Sequence, residues 1–236
     1  MKLFRNNGAN EPLMEGPGED QFALQRSEML EKQLRRRGVH DSRVLSAMAA
    51  VHREEFVPKE FRQRAYDDAP LPIGEGQTIS QPYIVAAMTA ALHLAGNERV
   101  LEIGTGCGYQ AAILSRMVKI VFTIESRSEL AASAAARLER LGYENVHVHC
   151  GDGTLGLPDL APFDAILVAA AAPAVPEPLR SQLAEGGRLI LPVGDGENQE
   201  LLHIERHGNS FETRTLEACR FVPLIGYYGW KEPPAR

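Results

Sequence analysis

A short apolar run that ends in three closely spaced glycines constrains this chain more than any other feature: Arg99-Val100-Leu101-Glu102-Ile103-Gly104-Thr105-Gly106-Cys107-Gly108-Tyr109. The run predicts a buried strand, the glycines a sharp turn, and the pattern from Gln110 to Val118 a helix. Glycine suits such a turn because the backbone bends tightly and meets a ligand with no Cβ between them. The helix then aims its free N–H groups at that ligand. Spacing separates the ligand classes. A dinucleotide fingerprint has glycine at positions one, three and six. Counted from Gly104, position six is Tyr109, and that pattern fails.

The pattern present is acid-x-Gly-x-Gly-x-Gly, with Glu102 as the acid. It resembles motif I of the class I S-adenosylmethionine (AdoMet) methyltransferases. AdoMet has no pyrophosphate and needs no phosphate cradle. Its ammonium group suits a carboxylate such as Glu102, directly or through water. The plainer alternative is a glycine-rich turn that binds nothing.

Downstream, strands and helices alternate. Lys119 to Ile124 reads as a strand ending at Glu125, near the spacing at which an acid takes ribose hydroxyls. Arg127 to Leu141 reads as a helix closed by Gly142, and Asn145 to Cys150 as a strand leading to Gly151-Asp152-Gly153. Asp152 suits a contact to the adenine amino group; its other reading is a turn aspartate. Phe163 to Val168 is apolar enough for a buried parallel strand, Pro176 to Leu183 reads as a helix, and Gly186 to Val193 as a turn and strand. The alternation predicts an α/β fold, a Rossmann-like doubly wound, mostly parallel sheet. Glu102, the glycine turn, Glu125 and Asp152 all fall at the carboxyl ends of strands, where such sheets bind ligands. Glu200 to Arg206 and Phe211 to Glu217 then flank His207-Gly208-Asn209-Ser210 as a β-hairpin. The aromatic tail Tyr227-Tyr228-Gly229-Trp230 either packs on the sheet edge or lines a groove.

Ahead of the core, residues 1 to about 20 are poor in apolar side chains and are expected to be disordered. Gln21 to Arg37 predicts a helix stopped by Gly38, and Asp41 caps a second helix. These make an N-terminal helical layer. Ala69 to Tyr83 holds prolines, glycines and hydroxyls and reads as an irregular loop before a helix that begins at Pro82. Ser80 either caps that helix or sits one residue before the cap, or, with Thr78, is presented by the loop to a substrate.

The length of 236 residues suits one domain, or one domain with an appendage, and the net charge of −6 argues against a nucleic-acid surface. Arg35-Arg36-Arg37, the one basic run, fits a helix C-terminus. Three cysteines without short spacing make neither a disulfide framework nor a zinc site, and no metal is expected. No apolar run has membrane-helix length, and the N-terminus lacks a signal-peptide core. A cytoplasmic protein is expected.

The site offers no general base. The fourth strand leads into Ala169-Ala170-Ala171-Ala172-Pro173, where amino-group methyltransferases place an acid- or amide-led Pro-Pro motif. A carboxylate acceptor needs no base, since with a pKa of about 4 it is already ionised at neutral pH. Attack of an anion on a sulfonium also removes both charges, so excluding water favours it.

Leu71 to Tyr83, with Val100 to Tyr109, Gly151 to Gly153, Phe163 to Ile166 and Arg220-Phe221-Val222-Pro223-Leu224, resembles in order the protein-L-isoaspartate O-methyltransferases, over roughly residues 24 to 225. The resemblance implies methyl transfer from AdoMet to the α-carboxyl of L-isoaspartyl residues in aged proteins, with S-adenosylhomocysteine as product, and a family-specific order of the last strands. It assigns Ser80 as the active-site serine, and Thr78, Ile79 and Val222 to the substrate. Gln77, Glu102, Gly104, Thr105, Gly106, Gly108, Glu125, Asp152 and Gly153 would hold AdoMet. It also implies isoaspartyl proteins and peptides as partners, with no nucleic acid and no membrane, and a monomer. Residues 21–236 would form one domain: helices and substrate loop over 21–82, AdoMet core over 83–195, hairpin and tail over 196–236. Two alternatives stay open, a carboxyl methyltransferase with a small-molecule acceptor and an AdoMet-binding module without catalysis. The four-alanine run, the N-terminal extension and the aromatic tail depart from the family pattern.

Overall fold

The computed structural model describes residues 19–231. The expected disorder at the N-terminus falls on residues outside that range up to residue 18, and the first helix begins at Glu19.

Seven strands form the central sheet: β3 (Arg99–Ile103), β4 (Ile120–Glu125), β5 (Val146–Cys150), β6 (Phe163–Val168), β7 (Leu183–Gly194), β8 (Gln199–His207) and β9 (Ser210–Cys219), in the order β5-β4-β3-β6-β7-β8-β9. The first five are parallel, and β7, β8 and β9 pair antiparallel. Alternate residues of β3 explain why its sequence is apolar throughout. Val100 packs with one hydrophobic cluster and Leu101 and Ile103 with the other, so both faces of the sheet are covered. Helices α2 (Ser42–Ala50), α3 (Pro82–Ala91) and α4 (Tyr109–Ser115) join the first cluster, and α6 (Glu177–Ser181) the second.

The N-terminal layer forms as its caps dictate. Asp41 accepts hydrogen bonds from the N–H groups of Arg43 (2.8 Å) and Val44 (3.3 Å) at the start of α2. The expected single helix before it is α1 (Glu19–Glu28), which widens into a π-turn over Met29–Leu34 and tightens into a turn at Arg35–Arg37, ending at Gly38 with φ 94°. Between layer and core lies a two-stranded hairpin, β1 (Leu71–Gly74) and β2 (Gln77–Ile79), in place of the wholly irregular loop.

The predicted helix over Pro176–Leu183 is shorter, because Leu183 already pairs with Phe163 in the sheet. The hairpin turn falls at His207–Ser210 as expected. β3 is paired on one side with β4 and on the other with β6. The chain reverses direction of winding there, which opens a crevice at the carboxyl ends of these strands.

Candidate active site

The three turn glycines have φ values of 93° (Gly104), 54° (Gly106) and 88° (Gly108), a region costly for a side-chain-bearing residue. The turn is tied to β4 twice: Gly104 N–H donates to the Ile124 carbonyl, and Gly106 N–H to Glu125 Oε2, both at 2.9 Å. Glu125 Oε1 accepts from the Arg127 N–H at 3.1 Å. The carboxylate predicted to face a ribose therefore also fixes the glycine turn, and it lines the cavity that the turn borders.

That cavity measures about 340 Å³, at the size of small-molecule sites. Around it stand Gln77, Thr78, Ile79, Ser80, Gly104, Thr105, Gly106, Glu125, Gly153 and Val222, from the hairpin, the glycine turn, the ends of β4 and β5, and the tail. Glu102, Gly108 and Asp152 lie outside its lining.

Glu102 is fully buried. Thr123 Oγ1 donates to its Oε2 at 2.6 Å, and Thr123 Oγ1 lies 2.7 Å from Thr105 Oγ1. Two hydroxyls thus connect the cavity-lining Thr105 to Glu102. Its other oxygen, Oε1, is buried without a partner. Burial pushes the Glu102 carboxyl up to about 8; the Thr123 hydrogen bond works against this and the charge of Glu125 adds to it. An unsatisfied buried acceptor beside a nucleoside-sized cavity fits a donor such as the ammonium of AdoMet, directly or through a bridging water.

Asp152 is differently engaged from the adenine contact expected of it. Its Oδ1 accepts from the Thr154 N–H (2.9 Å) and hydroxyl (2.7 Å), capping the turn Gly153–Leu155. Its Oδ2 accepts from the Tyr227 N–H at 2.7 Å. These bonds are those of a turn aspartate, and of the Gly151-Asp152-Gly153 run it is Gly153 that lines the cavity. A Cβ on Gly153 would stand 2.5 Å from Ile103 Cγ2, so only glycine fits between the two strand ends.

Ser80 does not cap α3. The cap position is Gln81, which makes no side-chain capping bond, and Pro82 fills the first turn. Ser80 lines the cavity instead, and its carbonyl accepts from Arg53 Nη2 at 2.7 Å. The hairpin bearing Thr78 and Ile79 is tied to the segment after β4 through Glu75 and Arg127, 3.7 Å apart and exposed. Val222 is held opposite because Ala171 N–H donates to its carbonyl and Leu224 N–H donates to the Ala171 carbonyl, both at 2.8 Å. The alanine run supplies small side chains, Ala169 and Ala170, to the cavity wall.

The aromatic tail packs at the carboxyl end of the sheet. Tyr228 N–H donates to Thr154 Oγ1 (3.0 Å) and Trp230 Nε1 to the Ala171 carbonyl (3.1 Å). Sequence reasoning missed Tyr109, Gln110, Ser126 and Phe221 in the cavity wall. Tyr109 and Gln110 directly follow the glycines, and that position was the available signal. Of the cysteines, Cys107 is buried in the turn, whereas Cys150 ends the outermost strand and is exposed. Among the described residues, no group of three or more His, Cys, Asp or Glu is placed to hold a metal, and no helix is long and apolar enough to cross a membrane.

A family model described as protein-L-isoaspartate(D-aspartate) O-methyltransferase matches residues 24–228. The chain belongs to that family. A protein-L-isoaspartate O-methyltransferase of Roseiflexus castenholzii is 60% identical over 209 residues, 89% of this chain and 95% of that relative. A solved protein-L-isoaspartate O-methyltransferase superimposes with a TM-score of 0.79 at 33% identity, covering 86% of this chain and 67% of the other. A Plasmodium falciparum structure of the same enzyme type, in complex with S-adenosyl-L-homocysteine, has a TM-score of 0.74 at 27% identity and covers 85% and 98%. The activity of this family member is methyl transfer from AdoMet to the carboxyl group of isoaspartyl residues.

Proposed function

We propose that the α-carboxylate of an L-isoaspartyl residue is held by Ser80 against the glycine turn, with Thr78, Ile79 and Val222 flanking the peptide. The observation that carries this reading is that Ser80 and the glycine turn face one cavity. AdoMet, when bound, supplies a methyl group on a positively charged sulfur. Gly104, Thr105 and Gly106 would form its floor, Glu125 would take its ribose, Gly153 would lie against its adenine, and Glu102 would answer its ammonium. Gln77 would close over it from the hairpin. Gly108 acts from behind, by opening α4, and Asp152 by fixing the turn that carries Gly153.

The chain's own work is then positioning. The acceptor arrives ionised, so no residue must remove a proton. The Ser80 hydroxyl donates a hydrogen bond to one carboxylate oxygen and leaves the other free to attack. Ala169 and Ala170, with no polar side chain, keep that approach dry, which strengthens the attraction between carboxylate and sulfonium. Labelled AdoMet offered with an isoaspartyl peptide and with its aspartyl twin tests the reading. Label should enter the isoaspartyl peptide alone; equal labelling of both, or of neither, contradicts it. A small carboxylic acid as the preferred acceptor would establish the alternative. We further infer that residues 21–236 work as one domain, as a cytoplasmic monomer that engages neither nucleic acid nor membrane. Light scattering at working concentration checks the monomer.

A further inference from the structure

One buried charge lies next to the site without a role in the account above. Arg53 stands in the short turn Arg53–Glu55 and is fully buried. Its Nε donates to the Ala65 carbonyl and its Nη2 to the Ser80 carbonyl, each at 2.7 Å. Its Nη1 is buried without a partner. The guanidinium carbon lies 4.8 Å from the ring centroid of Tyr109, the first residue of α4 and part of the cavity wall. One side chain therefore touches the N-terminal layer, the flap serine and the residue that follows the glycine turn.

Among the described residues, no carboxylate makes an ion pair with this charge. The two acids beside it in sequence are turned to other partners: Glu54 takes the Tyr66 hydroxyl and faces Arg26, and Glu55 pairs with Arg140 and Arg62. Its immediate neighbours are the Ala65 and Ser80 carbonyls and the Tyr109 side chain, all uncharged at neutral pH. Burial disfavours its charge, yet a guanidinium stays protonated in proteins. A buried cation left unbalanced is costly to the fold. The cost has a use if an anion arrives during the reaction, and the acceptor carboxylate is an anion that binds at Ser80.

We propose that Arg53 is the positioning residue of the acceptor half of the site: it fixes the Ser80 main chain against the glycine turn, and its unbalanced charge is answered by the substrate carboxylate. The inference rests on the reading of Ser80 given above. It separates the two substrates by sign. A positive charge behind Ser80 attracts the carboxylate and gives nothing to AdoMet, which is itself a sulfonium.

The test compares Arg53→Gln, Arg53→Lys and Ser80→Ala, with KM for an isoaspartyl peptide from initial rates and Kd for S-adenosylhomocysteine from calorimetry. Arg53→Gln should raise peptide KM by about thirtyfold and leave S-adenosylhomocysteine Kd within about twofold; Arg53→Lys, which keeps the charge, should raise peptide KM by only about threefold. A general loosening of the fold would weaken both ligands together, and that outcome overturns the proposal. So does an unchanged peptide KM in Arg53→Gln, or an Arg53→Lys no better than Arg53→Gln. Should Arg53→Gln not fold, the split between peptide KM and S-adenosylhomocysteine Kd in Arg53→Lys decides. Wild-type peptide kinetics in Ser80→Ala would remove the Ser80 reading and this inference with it. A defect in Ser80→Ala without one at Arg53 would remove this inference alone.

Discussion

Glu102→Gln should abolish a pH dependence of stability that a single carboxyl imposes. Glu102 is fully buried, with one oxygen bonded to Thr123 and the other bonded to nothing, and its pKa is raised by burial to about 8 from an ordinary 4.5. Between those two values the unfolded chain has released the proton and the folded protein has kept it. Folding there takes up a proton, so stability declines as pH rises, by about 1.4 kcal/mol per pH unit. The full window amounts to about 5 kcal/mol, present below the lower value and gone above the upper one. The glutamine variant is neutral at every pH and has no such slope. In a chain of this size 1 kcal/mol moves Tm by about 2–4 °C. The wild-type Tm, measured against the variant without cofactor, should fall by about 3–6 °C per pH unit between pH 5.5 and 7.5. Scanning calorimetry in matched buffers reads this directly. A constant offset between the two proteins across that range would mean that Glu102 is already ionised in the fold, and the argument from burial would be refuted. The same reasoning makes S-adenosylhomocysteine binding release a proton in the wild type, visible as a buffer-dependent binding enthalpy, and not in Glu102→Gln.

Three other outcomes are expected. Ser80→Ala should lower kcat/KM for an isoaspartyl peptide by about tenfold to a hundredfold through loss of a hydrogen bond to a charged group, with cofactor affinity nearly unchanged; equal losses in both would place Ser80 on the cofactor side. Glu125→Ala should weaken S-adenosylhomocysteine binding by about 1.5–3 kcal/mol, because the ribose acceptor and the anchor of the Gly106 N–H go together, and full-strength binding by calorimetry would remove the ribose assignment. Gly153→Ala must push its Cβ past Ile103 and should cost about 1–3 kcal/mol of stability; an unchanged denaturation midpoint would show that the two strand ends separate freely.

The sheet was legible because its inner parallel strands β3 and β6 are apolar on both faces. Leu101, Ile103, Ile124, Ile166 and Val168 announce burial without any knowledge of their neighbours. The glycine turn was legible for a local reason as well, since the positive φ values of Gly104, Gly106 and Gly108 follow from spacing. What escaped were features settled by distant partners. Asp152 between two glycines looks free for a ligand, and nothing near it in sequence reveals that the Tyr227 N–H will take one of its oxygens. Arg53, in the run Val51-His52-Arg53-Glu54-Glu55, has no local signal of burial, and it is the distant Ala65 and Ser80 carbonyls that hold it inside. Ser80 sits one residue before the cap position Gln81 and lines the cavity as well, so its place ahead of the helix and its place at the site go together.

The bond from Tyr227 to Asp152 joins residues that are far apart in the chain and neighbours at the rim of the cavity. Residues 225–230 leave the ribosome after every other segment of that rim. A growing polypeptide can already have paired β3, β4 and β6 while the Asp152 carboxylate still faces solvent. The part of the cavity lining that includes Ile225 is therefore completed only when this last segment has docked on Asp152.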